Sequence, residues 1–285
     1  MKKLAILTII FFALVASKHS QAQVVQDTPP LDNFYVKVNN VGRTPQPYVH
    51  VREADVYIKR RIWRMIDFRE KFNQHFYFPI QPVQDRVSFM SMVMTALREG
   101  SITAYDPITD DFTRPYTFEE FMATHTRIVE REVEDLDNPG QLIRRSDTTT
   151  FSNQDVIMLR VKEDWFIDRQ RGMRETRILG LAPVRQMFDE QTGESRGIQT
   201  LFWLYYPDCR DVFVNTEAFN RHNSAMRMSY DDTFAIKRFF NSYVTKMDNQ
   251  QDRHLQDFLS GWQLLEVAQQ IEIDLLNLEE DLWEY

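Results

Sequence analysis

Side chains able to do chemistry are sparse in this sequence, and they are scattered. Beyond Ala22 the histidines are His50, His75, His125, His222 and His254, and no two stand three or four residues apart within an expected helix. The local spacing with which a helix presents two zinc ligands is therefore missing, and surface or hydrogen-bonded histidines are expected. The single cysteine, Cys209, falls in Tyr206-Pro207-Asp208-Cys209-Arg210, read as a turn between strands. Arg210 beside it could lower a thiol pKa. A nucleophilic thiol also needs a base and an orienting group, and none is near, so a small apolar role is expected. Acidic pairs occur at Asp110-Asp111, Glu119-Glu120 and Asp231-Asp232. Glycosidases use two facing carboxylates, a geometry that adjacency in sequence does not deliver. The second and third pairs sit at expected helix starts, where acids cap. There is no glycine-rich phosphate loop, no Gly-x-Ser-x-Gly elbow and no EF-hand loop, and no cofactor or metal is expected.

Arginine is the residue type that clusters. Arg60, Arg61, Arg64 and Arg69 fall in the first expected helix, and Arg169, Arg171, Arg174 and Arg177 surround the turn between two expected strands. A guanidinium fork suits carboxylates, so two readings stand side by side: a solvated basic face, or recognition of acidic groups on a partner or a second copy. The acidic C-terminal segment would be a natural complement.

The elements that position these groups follow from periodicity. The densest block of β-branched and aromatic residues is 156–215, read as four strands joined by polar turns. Within it, TLFWLYY at 200–206 is apolar on both alternations and reads as a central strand covered on both sides. Gln191-Thr192-Gly193 reads as a hairpin turn, and Gly180 and Pro183 suggest a bulge or an edge. Ahead of this block, Ile58, Ile62, Met65 and Ile66 predict a helix over 54–71. A second helix is expected over 86–99, with Asp85 as N-cap and Gly100 as the stop. Thr117 and Glu120 form a capping box, with Tyr116 set to staple onto Phe121, for a third helix reaching about 132. Residues 133–155, with Asn138-Pro139-Gly140, read as a flexible excursion. After 215 a polar connector leads to a helix capped by Ser229 or Asp231 and anchored by Phe234, Phe240, Tyr243 and Val244. Finally Leu264, Ala268, Ile271, Leu275, Leu278 and Leu282 alternate at steps of four and three, the spacing of a coiled-coil seam.

Composition bounds the class. At 43% hydrophobic and 13% aromatic the chain has enough apolar surface to fold into a globule. Its 42 acids against 34 bases argue against nucleic acid as a partner. Lys2 and Lys3 precede an apolar run at 4–15 and the small-residue site ending at Ala22, so residues 1–22 read as a secretory leader. That run is too short for a membrane span, and none is expected later. With Cys209 the only cysteine, no internal disulfide and no lipid-accepting cysteine at the cleavage point are expected. Residues 23–53 read as an extended, proline-bearing arm whose Phe34-Tyr35-Val36-Lys37-Val38 could add as an edge strand. The expected architecture is a single α+β domain: a largely antiparallel sheet packed by helices over 54–260, the arm before it, and an acidic amphipathic helix over 261–285.

Four stretches carry a resemblance: DVYIKRRIWRMIDFREKFN at 55–73, KEDWFIDRQ at 162–170, FWLYYP at 202–207, and EAFNRHNSAMRMSYDDTFAIKRFFNSYVTK at 217–246. In their order and spacing they resemble the gliding-motility N protein family (GldN/PorN) of the Bacteroidetes type IX secretion system. Phe68 and His222 replace a leucine and a glutamine of the family pattern. The resemblance implies a periplasmic, non-enzymatic subunit that forms a ring with an outer-membrane lipoprotein of the GldK/PorK type. It also implies contact with the periplasmic part of the GldM/PorM motor protein. The lipoprotein would hold it at the inner face of the outer membrane, with no membrane span of its own. A ring needs two different surfaces per copy. The candidates for partner binding are Arg60, Arg61, Arg64, Arg69, Trp165, Arg169, Arg171 and Arg174, with Leu264, Ile271, Leu275 and Leu278 on the terminal helix. The alternative is a periplasmic hydrolase whose site is assembled from distant carboxylates.

Overall fold

A computed structural model of the protein describes residues 42–83, 86–134, 142–188, 195–220, 223, 226–236, 238, 240–247 and 253–281. The leader, the Phe34-Val38 segment, Asp85, Asn138-Pro139-Gly140, the Gln191-Gly193 turn, His222 and Leu282 lie outside them. In chain order the elements are β1 (Val56–Asp67), α1 (Gln74–Tyr77), α2 (Phe89–Glu99), β2 (Ala104–Tyr105), β3 (Pro115–Tyr116), α3 (Phe118–His125), β4 (Arg127–Glu134), β5 (Leu142–Thr149) and β6 (Val156–Asp168). Then come β7 (Met173–Phe188), β8 (Ser195–Thr200), β9 (Trp203–Tyr205), α4 (Tyr206–Asn215), β10 (Glu217–Ala218), β11 (Met228–Ser229), β12 (Tyr243–Met247) and α5 (Trp262–Glu280). The main sheet runs β12-β1-β6-β7-β9-β2-β3, with β8 also on β7, and its named pairs are antiparallel. The fold is α+β, as the periodicity indicates.

The first element is a correction. Residues 54–71 are not a helix: Val56–Asp67 is a strand, paired with β6 along its length and with β12 from Ile62 to Met65. Ile58, Ile62 and Ile66 recur every four residues, an interval that fits one helical turn and also two pleats of a strand. Met65 breaks the tie. It joins Met158 and Val184, in a cluster separate from the one that takes Ile66.

Other expectations moved too. The block at 156–215 holds its four strands, β6 to β9, but they end at Tyr205 and helix α4 follows, with Pro207 supplying the favoured proline at its first turn. Cys209 therefore sits within a helix. Helix α2 starts at Phe89, where Ser88 accepts from the Ser91 amide, and Gly100 ends it at φ 74°. Helix α3 has its Thr117/Glu120 capping box, and Tyr116 meets Phe121 edge-on at 6.4 Å, but it stops at His125 and yields to β4. Part of the polar excursion is strand β5, paired with β4 from Arg127↔Thr149 to Glu134↔Leu142. The helix expected after Ser229 is a single π-turn at Asp232–Ile236, opened by reciprocal Ser229 and Asp232 bonds, and Tyr243–Met247 is an edge strand. Val244 alternates there with Tyr243 and Thr245, so a strand buries it as well as a helix would.

Each face of the sheet has its own cover. Ile66, Leu159, Val161 and Leu204 pack under α2 and α4 in a core dense in rings, with Phe76, Phe89, Tyr206, Phe213, Tyr230 and Phe234 each fully buried. Further along, Ile62 and Val244 meet Leu264, Ala268, Ile271 and Leu275 of α5. The heptad-like seam is thus used within the subunit. Trp63, Ala182 and Trp203 form a separate cluster under the loop at 106–114, which lays Phe112 on them. Here Gly180 is required twice over. It borders the register shift at which Leu179 bulges from β7, and a Cβ on it would lie 2.5 Å from the Phe112 ring. Gly180→Ala should lower stability by about 1–3 kcal/mol. Adding Phe112→Ala should recover part of that loss, a coupling measurable by urea unfolding of the two single variants and the double.

Candidate functional site: a buried ionic hub beneath the terminal helix

The densest constellation of charged side chains lies where α5 crosses β1 and β6. Period-two alternation turns Arg64 and Glu163 to the same face as Ile62 and Val161, although both are charged. Glu163 is completely buried. It accepts from Arg64 Nε at 2.5 Å, from Arg238 Nη2 at 2.7 Å and from the Trp165 indole at 2.7 Å. Arg64, 6% exposed, also pairs with Glu272 of α5, and its guanidinium lies 5.5 Å from the Trp165 ring. Arg174 of β7 also stands 4.6 Å from that ring and pairs with Glu279 of α5 at 2.9 Å. Burial raises the Glu163 pKa, yet Arg238 and Arg64 hold it below the usual carboxylate range. A recess of about 290 Å³ opens beside these groups, lined by Trp165, Arg174, Arg238, Phe240, Glu272 and Leu276 among others. Its arginines already hold carboxylates of this chain, so it works as a clamp and not as an anion receptor.

The other arginines expected to bind partners are also placed. Arg61 holds Asp164 through two bonds of 2.7 and 3.0 Å. Arg69 folds back on Asp67 at 2.6 Å, and Arg171 holds Asp168 at 2.8 Å and also Glu175. Arg177 lies over Tyr48 and Phe166. Arg60 faces solvent, and Arg169 stacks at 5.6 Å on the exposed Tyr57. On α5, Leu264, Ile271 and Leu275 are buried against the chain's own sheet, and Leu278 lines a small crevice with Ile58 and Trp165. Most of these groups therefore serve internal contacts, and Arg64 in particular is a core residue.

Sequence reasoning missed Glu163, Arg238, Glu272 and Glu279. A signal existed for the first: KEDW interrupts an apolar strand, and alternation puts its Glu on the side of Val161. A second buried cluster was missed as well. Asp231, read as a helix cap, is fully buried and accepts from Arg210 at 2.9 and 2.9 Å and from the Tyr206 hydroxyl at 2.7 Å. Burial and Asp231 push the Tyr206 phenol well up. Tyr48 covers the Arg210 guanidinium at 4.4 Å, and Arg43 reaches Asp232 at 3.2 Å, so residues 42–48 are pinned to the body. Asp110 and Asp111 have separate tasks. Asp110 takes the Trp63 indole at 2.7 Å and Lys162 at 3.3 Å, while Asp111 accepts from Thr109 and Thr113. Burial, with Asp208 adding to it, pushes the Cys209 thiol up to about 12, the opposite of what a nucleophile needs. Among the described residues no group of three or more His, Cys, Asp or Glu could hold a metal ion.

The family model for the gliding motility associated protein GldN matches residues 51–284, which takes in every part of this constellation. The chain belongs to the GldN family. GldN is a structural family, and membership makes this chain a component of the gliding and type IX secretion machinery. A search of curated proteins finds no match. Among the described residues no helix of this GldN protein is long and apolar enough to cross a membrane.

Two measurements probe the site. Glu163→Leu should destabilise the protein by about 3–5 kcal/mol, because it strands Arg64 and Arg238 in a dry setting. Arg64→Leu with Glu163→Leu should cost less than the two single losses added together, as a double-mutant cycle by chemical denaturation would register. His75 gives a pH dependence. Burial lowers its pKa to about 4 from 6.5, so the unfolded chain takes up the proton first on acidification. Its contribution is complete above pH 6.5 and disappears between 6.5 and 4, an effect of about 3 kcal/mol. Over that window His75→Leu should show a shallower fall in stability than wild type.

Proposed function

We propose that this chain is a non-enzymatic periplasmic subunit of the type IX secretion and gliding machinery. In this reading it forms a ring with an outer-membrane lipoprotein of the GldK/PorK type beneath the outer membrane. It also couples to the periplasmic part of a motor protein of the GldM/PorM type. The observation that carries the reading is the family match across 51–284. The sequence adds support through the leader-like residues 1–22.

The chemistry of the fold fits a scaffold. Its buried acids Glu163 and Asp231 are each engaged by arginine, and its cysteine is buried with a raised pKa, so these groups hold shape rather than await a substrate. Such a subunit gains from a rigid body, because small errors in the angle between neighbours accumulate around a ring.

The test is reconstitution of the mature chain with the lipoprotein, followed by electron microscopy and fractionation. Ring-sized assemblies in the periplasmic outer-membrane fraction are the expected result. A chain that stays monomeric with the lipoprotein, or that shows catalytic turnover abolished by one carboxylate substitution with assembly intact, would refute the proposal.

A further inference from the structure

Helix α5 carries two apolar stripes, and the fold uses only one. At 3.6 residues per turn, Leu264, Ala268, Ile271 and Leu275 share the side buried on the sheet. Trp262, Leu265, Ile273 and Leu276 fall along another line, roughly 140° around the helix. These four are 70%, 54%, 39% and 46% exposed. Single exposed apolar residues are ordinary on a protein surface, but two pairs of them on one side of a helix, Trp262 with Leu265 and Ile273 with Leu276, separated by Gln269, mark a contact face.

The charges beside this line say what fits it. Between Trp262 and Asp281 the helix has no lysine or arginine. Glu272 and Glu279 are held by Arg64 and Arg174, whereas Glu266 and Glu280, the acids next to this line at 3.6 residues per turn, make no ion pair among the described residues. Two copies of the stripe placed against each other would set acid against acid. In the arginine clusters of a second copy Arg61, Arg64, Arg69, Arg171 and Arg174 already hold carboxylates, which leaves Arg60 and Arg169 outward, a sparse complement for the stripe. An anionic lipid surface would repel the same flanks.

We propose that the outer stripe of α5 docks an amphipathic, lysine- or arginine-bearing segment of a different protein, its apolar residues seated on Trp262, Leu265, Ile273 and Leu276 and its cations on the acidic flanks. The proposal deepens the subunit reading by naming a surface and the chemistry of its partner.

The test installs the photo-crosslinking residue benzoylphenylalanine at Leu265 or Ile273 of the full chain, with exposed Asp211 as the control, in cells that assemble the native complex. The expected crosslink, formed from 265 and 273 and not from 211, maps to a peptide of another protein with basic residues flanking an apolar stripe. The double variant Leu265→Ser/Ile273→Ser should keep the wild-type Tm and weaken retention of that protein by about tenfold or more. Added salt should weaken it further. A crosslink to a second copy, to lipid or to an acidic peptide overturns the proposal, as does none above the control. If it fails while the chain still co-purifies with the secretion complex, only the surface assignment falls. Failure to co-purify at all would remove the subunit reading as well.

Discussion

A charged group in an apolar setting is tolerated only when its compensation is complete, and Glu163 imposes that requirement on β1, on the segment before β12 and, through Arg64, on α5. Its carboxylate needs Arg64 from β1, Arg238 from the segment before β12 and the indole of Trp165, and each is in place. Arg64 in turn has donor capacity left over, which Glu272 of α5 takes. Closure of the terminal helix on the sheet is therefore coupled to the register of β1 on β6. A slip of one residue would turn Glu163 and Arg64 to opposite faces and leave both unpaired.

The same device recurs where irregular chain must be fastened. Asp231, next to the π-turn, is held by Arg210 and Tyr206 of α4. Asp110, in the loop at 106–114, is held by Trp63 and Lys162 of the sheet. In each case a buried or half-buried ion pair joins a segment of poor intrinsic regularity to a regular element. Apolar packing alone is non-directional and would not choose one position for such segments. The consequence for function is that much of the basic charge is turned to internal use. What remains outward on α5 is acid and apolar surface, a combination suited to a basic partner.

The capping box at Thr117 and the stop at Gly100 were legible because each is decided within one element, and the α+β class was legible from the mixture of helical and strand patterns along the chain. A hydroxyl three residues before a glutamate, or a glycine free to take positive φ, acts on its own neighbours whatever else the chain does. Helix α4 was missed because VFVN is β-prone, while the core closes on Tyr206, Cys209 and Phe213 at helical spacing. Strand β1 was missed because its isoleucines recur at an interval shared by both periodicities. Pairing with β6 decided the matter, and that partner lies about a hundred residues away. Arg64 changed meaning with it, from an exposed helix residue to a buried strand residue.

By itself the sequence determined the local elements with self-contained signals, the acidic character of the C-terminal helix, the lack of any short-range catalytic motif and, through its matched stretches, the family. These rest on neighbours along the chain or on the order of whole segments, which a linear string preserves. Only the tertiary structure decided which charges pair. Arg64 with Glu163 and Glu272, Arg210 with Asp231, and Lys162 with Asp110 are contacts across long separations, and no spacing rule connects them. It also decided which side of α5 faces inward. Both of its stripes are apolar enough to be buried, and the fit of Leu264, Ala268, Ile271 and Leu275 against Ile62 and Val244 settled the choice, leaving the other side to the solvent or to a partner.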